Sequence, residues 1–140
     1  MYDRILVAVD KSPESDRAVD AACELARLSG GSVHLFHARE HQDVRGKFGG
    51  SFDIEYTEEA EALLSEAAER CKAVGVTVTS SIARVPIGHI ASEILKAAGE
   101  HHADTIVLGS HGRSGLGAAV LGSNAYKVVH LSDRPVLVVR

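Results

Sequence analysis

The sequence predicts an α/β fold in which one parallel β-sheet of five strands is covered by helices on both faces. Short β-branched runs alternate with longer amphipathic stretches along the whole chain, an order typical of parallel sheets. The runs ILVAV, TIVLG and PVLVV are apolar throughout, as expected of strands that are buried on both faces. With 140 residues, the chain has the length of one domain, and we expect a single domain over residues 1–140.

The five strands are expected at residues 4–10, 32–38, 76–82, 104–109 and 134–139. The third strand, VTVTSSI, alternates between apolar and polar residues in a manner that suits the edge of a sheet. A polar, glycine-bearing segment, REHQDVRGKFGGS, follows the second strand and is expected to form an irregular loop over residues 39–51.

Four helices are expected between these strands. The first covers residues 12–29, with Ser12 as its N-cap, Pro13 at its first helical position and Gly30-Gly31 as its C-terminal signal. The second covers about 54–74, and a short fourth helix covers about 123–131. The third helix follows from apolar residues at helical spacing, namely Ile87, Ile90, Ala91, Ile94, Leu95 and Ala98.

Composition argues against several classes of function. Nucleic acid is a poor default partner, because the net charge is −4 and no basic run is present. No apolar run approaches the roughly 18 residues that are needed to span a membrane. The first ten residues, MYDRILVAVD, lack the features of a signal peptide, so we expect a cytoplasmic protein.

The cysteines and histidines do not suggest a metal site. Cys23 and Cys71 lie far apart in separate helical patterns, and we expect two reduced core thiols rather than a zinc site or a disulfide. His34 and His37 are three residues apart in a strand, so they should point to opposite faces and cannot bind one ion together. No pair of carboxylates is identifiable for general acid–base catalysis.

The most informative segment is GSHGRSGLGAAVLGS, at residues 109–123. A P-loop is excluded because no lysine occurs between Lys96 and Lys127. A dinucleotide-binding fingerprint is excluded because Val120 occupies the position of its third glycine. Neither Ser110 nor Ser114 is flanked by glycines as a nucleophile elbow requires.

The remaining pattern is Gly109-x2-Gly112-x9-Gly122-Ser123, which joins the end of a strand to the start of a helix. Gly109 and Gly112 would let the backbone approach a ligand and adopt a positive φ. Ser123 would lie at a helix N-terminus, where unpaired N–H groups and the helix dipole favour phosphate, and its hydroxyl could cap that helix or donate to phosphate. The pattern therefore predicts an anion site, although a turn-rich connection would also contain many glycines.

The whole chain resembles the universal stress protein family. The resemblance rests on the motif G-x2-G-x9-G-[ST], on ILVAVDKS and PVLVVR near the two ends, and on GHIASEI at residues 88–94. The motif is similar to that of the ATP-binding branch of the family. The resemblance implies a Rossmann-like adenine nucleotide-binding fold with strand order 3-2-1-4-5, which would place Asp10 and Gly109 at one crevice.

The resemblance also implies positions for the site residues. Val9 and Asp10 would lie beside the adenosine, and Ala38 and Leu108 would flank the adenine. The residues around the ribose and phosphates would be Gly109, His111, Gly112, Gly122, Ser123 and Asn124, with Arg113 as a further candidate phosphate contact. Two alternatives stay open, because Asp10 could serve only to cap the first helix and Arg113 could be a solvated surface arginine.

The function that these residues imply is that of a binding or regulatory module in a stress response. The expected cofactor is ATP, with Mg²⁺ or Mn²⁺ bound through the phosphates. The resemblance implies a homodimer formed through the C-terminal strand at residues 134–139, whose edge would be exposed in a monomer. The alternatives are a weak ATPase and a nucleotide-free scaffold that acts through protein contacts.

Overall fold

The computed structural model describes residues 1–43, 46, 48–53, 57–111 and 120–140. These residues form six strands and four helices, which alternate except that β3 follows β2 directly. None of the helices in these ranges is long and apolar enough to cross a membrane. In chain order the elements are β1 (Arg4–Ala8), α1 (Pro13–Ser29), β2 (Ser32–Asp43), β3 (Ser51–Asp53), α2 (Thr57–Ala73), β4 (Thr77–Pro86), α3 (Ile90–Glu100), β5 (Thr105–Gly109), α4 (Ser123–Leu131) and β6 (Val136–Val139).

The sheet contains five parallel strands in the order β4-β2-β1-β5-β6, and the short β3 pairs antiparallel with the end of β2. The parallel order is the predicted 3-2-1-4-5, so this prediction is confirmed. The sixth strand was not predicted. His41 of β2 pairs with Pro86 of β4 and also with Asp53 of β3, so β3 extends the sheet beyond the carboxyl end of β1.

Alternate residues of the central strands face two separate hydrophobic cores. Ile5 and Val7 of β1 pack with α1 and α2 on one face of the sheet. Leu6, the residue between them, packs with α3 and α4 on the other face. Ile5, Leu6 and Val7 are at most 1% exposed, so β1 is buried on both faces as its continuous apolar run predicted.

Helix α1 begins and ends at the predicted signals. Ser12 is its N-cap, and the Ser12 Oγ accepts a hydrogen bond from the Ser15 N–H at 3.2 Å. Pro13 occupies the first helical position, where a missing N–H costs nothing. The helix ends at Gly30, whose φ of 73° lies in the left-handed region that glycine adopts without steric cost.

The loop predicted at residues 39–51 is partly ordered as strand. Strand β2 continues to Asp43, and β4 pairs with it as far as His41, which lies opposite Pro86. The last three residues of β2 pair in addition with β3. The prediction of an irregular loop is therefore wrong at both ends of this segment. The strands were missed because the residues at both ends are mostly polar and do not show the apolar pattern that indicates a strand.

Cys23 and Cys71 form a disulfide, which corrects the prediction of two reduced thiols. Helices α1 and α2 pack side by side on one face of the sheet, and their cysteines meet in the core with a Cα–Cα distance of 5.2 Å. The separation of 48 positions between the two cysteines in the sequence does not predict this distance, because it depends on how the two helices pack.

Candidate functional site

A cavity of about 360 Å³ lies at the carboxyl ends of β1 and β5. These neighbouring strands connect to helices on opposite faces of the sheet, α1 after β1 and α4 after β5, so the chain diverges at this point. Ligands of open α/β sheets bind at such switch points. The cavity is lined by Ala8, Val9, Asp10, Phe36, His37, Ala38, Glu40, Ile87, Gly88, Ile90, Ile94, Leu108, Gly109, His111, Gly122, Ser123, Asn124, Ala125 and Lys127.

Most of the residues predicted for the site line this one cavity. They come from four separate parts of the chain, which the fold brings together. They are Val9, Asp10, Ala38, Leu108, Gly109, His111, Gly122, Ser123 and Asn124. The two other predicted residues, Gly112 and Arg113, lie outside the described residues.

Asp10 stabilises the turn that leads from β1 into α1. Its Oδ1 accepts a hydrogen bond from the Ser12 N–H at 2.7 Å, and its own N–H donates to the Ser15 Oγ at 2.9 Å. Ser12, and not Asp10, is the N-cap of α1. Asp10 thus supports the start of the helix through one carboxylate oxygen while its side chain also lines the cavity.

His37 holds the end of β1 against β2. Its Nδ1 lies 2.6 Å from the Val9 carbonyl oxygen, and because that oxygen can only accept, Nδ1 is the donor. The Val9 N–H in turn donates to the Phe36 carbonyl at 2.8 Å. His37 is 2% exposed, so these bonds fix a floor of the cavity that solvent hardly reaches.

His111 presents an unsatisfied nitrogen in the cavity wall. The residue is 9% exposed, and its Nδ1 lies 2.9 Å from the Ser110 Oγ. Its Nε2 is buried and has no hydrogen-bond partner among the residues that the structure describes, which here end at 111 and resume at 120. A buried polar atom without a partner is costly and uncommon in proteins, so this nitrogen indicates a place where a polar ligand atom belongs.

Gly109 lines the cavity and also packs closely against α1. The predicted positive φ is wrong, because Gly109 is the last residue of β5 and is not among the described glycines with positive φ. The predicted approach of its backbone to a ligand stays a prediction. A Cβ at this position would lie 2.8 Å from the Glu14 Cβ and 3.0 Å from the Glu14 carbonyl carbon. Glycine therefore lets α1 approach β5 closely.

Helix α4 directs its first turn at the cavity. Gly122 is the N-cap, and its N–H donates to the Ser110 carbonyl at 2.7 Å, which ties the helix start to the end of β5. Ser123 is thus the first helical residue and not the cap, and the cap makes no side-chain hydrogen bond. The first intrahelical bond runs from the Tyr126 N–H to the Gly122 carbonyl at 2.9 Å. The N–H groups of Ser123, Asn124 and Ala125 precede that bond, as expected of a helix start that can bind an anion.

The sequence reasoning missed two charged residues and one apolar wall of the cavity. Glu40 lies on the unexpected extension of β2, and its Oε2 accepts a hydrogen bond from the Gly88 N–H at 3.3 Å. Lys127 follows Ser123 by four residues in α4, a spacing that places both on one face and could have identified it. Ile87 and Ile90 were predicted to belong to the apolar face of the third helix. Ile87 lies just before α3 and Ile90 is its first residue, and both contribute to the apolar wall of the cavity.

The described residues offer no metal-binding cluster in the cavity or elsewhere. Among them, no group of three or more His, Cys, Asp or Glu side chains could hold a metal ion. His34 and His37 face opposite sides of the sheet, as predicted, since His34 contacts Thr79 and His101 while His37 contacts the Val9 carbonyl.

The fold and this cavity define an α/β protein with a ligand site at the switch point of its sheet, and comparisons with known proteins identify the family. The model of the universal stress protein family matches residues 1–140. The chain therefore belongs to the universal stress protein family. It is 34% identical over 151 aligned positions to the universal stress protein YxiE of Bacillus subtilis, and the alignment covers all of both chains.

Two solved structures of similar proteins carry adenine nucleotides. The universal stress protein of Archaeoglobus fulgidus in complex with dAMP is 28% identical and superposes with a TM-score of 0.75, covering 98% of this chain and 97% of that one. A universal stress protein in complex with cAMP is 27% identical with a TM-score of 0.72, covering 99% and 96% of the two chains. Both structural similarities extend over nearly the whole chain.

Proposed function

We propose that this universal stress protein is an adenine-nucleotide-binding regulatory module whose ligand is ATP. The observation that carries the proposal is the buried Nε2 of His111, which has no partner within the described part of the chain and lies in a cavity at the switch point of the sheet. A ligand with polar atoms would satisfy this nitrogen. The dAMP and cAMP complexes of the two similar proteins support an adenine nucleotide as that ligand.

The chemistry of the cavity suits the parts of a nucleotide. Ala38, Leu108 and Ile90 form apolar surface for a base, and Asp10 offers a carboxylate for a hydroxyl donor of the ribose. The first turn of α4 offers N–H groups for phosphate oxygens. A divalent ion such as Mg²⁺ or Mn²⁺, which would neutralise phosphate charge, is expected to bind through the phosphates and water.

The direct test is calorimetric titration of the protein with ATP, ADP, AMP and cAMP. We expect binding of adenine nucleotides, and we expect His111→Phe to weaken it about five- to thirtyfold by removing a nitrogen that the ligand satisfies. His130→Phe on the exposed face of α4 is the matched control and should leave affinity unchanged. Absence of heat with every nucleotide would favour a nucleotide-free scaffold that acts through protein contacts.

A weak ATPase is the second candidate. The observation that favours it is again the Nε2 of His111, which could accept a proton from a water molecule in the cavity. We propose that any hydrolysis is slow, because rapid phosphoryl transfer also requires groups that orient the water and stabilise the transferred charge. Turnover above about 1 s⁻¹ that is abolished in Ser123→Ala would identify an enzyme and contradict the proposal of a binding module.

We also propose a homodimer that forms through β6. This strand ends the order β4-β2-β1-β5-β6, so one of its two edges faces away from the sheet. Leu137 in β6 and Tyr126, Val129 and Leu131 in α4 are exposed apolar side chains, and α4 contacts β6. Pairing of two such edges would cover hydrogen-bonding groups that are a liability when they are exposed.

A further inference from the structure

Lys127 is a cationic residue that lines the cavity and that the proposed site has not yet used. It lies three residues after Asn124 and four after Ser123 in α4, so these side chains share a face of the helix. Side chains of a helix lean toward its N-terminus, which directs Lys127 toward the first turn of α4. The ammonium group of Lys127 thus lies toward the N–H groups of the first turn of α4, which precede the first intrahelical bond and suit phosphate.

Lys127 differs from other lysines of the described chain in having no carboxylate beside it. Lys72 lies 3.4 Å from Glu69, and Lys96 lies 3.8 Å from Glu93, so both are held in surface ion pairs. Lys127 forms no ion pair or hydrogen bond with any described residue. Its charge therefore remains available to a ligand.

The acidic and basic side chains of the cavity come from different elements. Its carboxylates are Asp10, at the end of β1, and Glu40, which accepts a hydrogen bond from the Gly88 N–H just before α3. Within the described part of the lining, Lys127 is the only lysine or arginine. Phosphate groups are repelled by carboxylates and attracted by an ammonium group and a helix N-terminus. A phosphate chain should accordingly extend along the start of α4, away from Glu40.

We propose that Lys127 binds the phosphate chain of the nucleotide and makes affinity increase with the number of phosphates. The inference rests on the proposed adenine nucleotide site and adds to it a preference for nucleoside di- and triphosphates. Lys127 acts by direct charge–charge and hydrogen-bonding contact with phosphate oxygens, as lysine does at other phosphate sites. The apolar part of the cavity, which holds the base, does not depend on it.

The test compares adenosine, AMP, ADP and ATP by calorimetric titration, in buffer with EDTA so that no divalent ion screens the phosphates. In Lys127→Gln we expect ATP affinity to fall about tenfold and adenosine affinity to change less than about twofold. Lys127→Arg should retain most of the preference for ATP because it retains the charge. Raising the salt concentration should weaken ATP binding more in the wild type than in Lys127→Gln.

Lys72→Gln is the matched control, because it removes a surface lysine of α2 that does not line the cavity. It should bind all four ligands as the wild type does. The inference is overturned if the wild type binds adenosine and ATP while Lys127→Gln leaves ATP affinity unchanged or weakens both ligands equally. Absence of binding by the wild type overturns the proposed nucleotide site as well, so the two failures can be told apart.

Discussion

His34 and His101 form a stacked pair at the opposite end of β2 from the candidate site. Their ring centroids lie 3.5 Å apart, and the His34 ring nitrogens contact the Thr79 and Ser81 hydroxyls at 2.7 Å and 2.8 Å. Partial burial, together with the charge of His101, lowers the pKa of His34 to about 4. The folded chain therefore favours the neutral form of His34.

This pKa predicts that acid destabilises the fold through His34. Because the pKa in the folded state lies below the ordinary value of about 6.5, the unfolded chain binds more protons, and stability falls as the pH drops from about 6.5 toward 4. Urea unfolding at pH 7 and pH 5 should show that His34→Gln reduces the loss of stability by about 1 kcal/mol, a value discounted for solvent screening.

His130→Gln is the matched control for this measurement, because its side chain is exposed on α4. It should lose as much stability between pH 7 and pH 5 as the wild type does. An unaltered pH dependence in His34→Gln would contradict the assignment of this acid sensitivity to the stacked pair.

At the scale of elements, the site depends on the close approach of α1 to β5. Gly109 at the end of β5 allows this approach, and the Gly122 N–H joins α4 to the same strand end through the Ser110 carbonyl. Helices α1 and α4 thus contact two consecutive residues, Gly109 and Ser110, and the next residue, His111, carries the nitrogen that has no partner among the described residues. Packing contacts and a residue of the proposed ligand site therefore lie in one short segment.

Gly109→Ala is expected to destabilise the fold by about 1–3 kcal/mol, because the new Cβ would lie 2.8 Å from the Glu14 Cβ and force α1 away from β5. Nucleotide affinity should fall as well, since Asp10 is held by the turn at the start of α1. The measurements are urea unfolding without ligand and calorimetric titration with ATP.

Gly99→Ala in α3 provides the comparison, because a Cβ there meets nothing within 4 Å. Alanine is the better helix former, so this variant should be as stable as the wild type or up to about 1 kcal/mol more stable. If Gly109→Ala unfolds like Gly99→Ala, the glycine at the end of β5 is not required for packing.

At the scale of the whole molecule, the hydrogen bonds of β6 show which of its groups face outward. The Pro135 and Val139 carbonyls accept hydrogen bonds from the Ile106 and Ser110 N–H groups, so residues 135, 137 and 139 direct their backbone groups at β5. Val138 lies between two of them and directs its N–H to the outer edge. The proposed dimer would use that edge.

Val138→Pro is therefore expected to convert a dimer into a monomer while the hydrogen bonds between β5 and β6 remain. Proline removes an outward N–H and places a ring at the edge where the second chain would pair. Sedimentation velocity measures the change, and thermal unfolding should confirm that the monomer is folded. Leu137→Pro, which removes an inward N–H, should instead destabilise the chain. An unchanged sedimentation coefficient for Val138→Pro would argue against the β6 interface.

The local signals of the sequence were reliable where neighbouring residues decide the structure. Ser12, Pro13 and Gly30 define the ends of α1 because capping is a local interaction of side chain and backbone. The apolar runs ILVAV and TIVLG identified the central strands β1 and β5, since a strand buried on both faces carries few polar side chains. The prediction was wrong for PVLVV, which forms β6 at the end of the sheet order and is partly exposed. The nine described residues predicted for the site line one cavity, because the ends of parallel strands must meet at one edge.

The sequence by itself determined the order of the five parallel strands and four helices along the chain, the caps of α1 and the segments that supply the site. Only the tertiary structure decided that Cys23 meets Cys71, that Gly109 accommodates Glu14, and that Glu40 and Lys127 join the cavity. Each of these depends on a distance between elements that are remote in the chain. Periodicity and capping describe how a residue relates to its neighbours in sequence, whereas such distances arise when helices and strands pack.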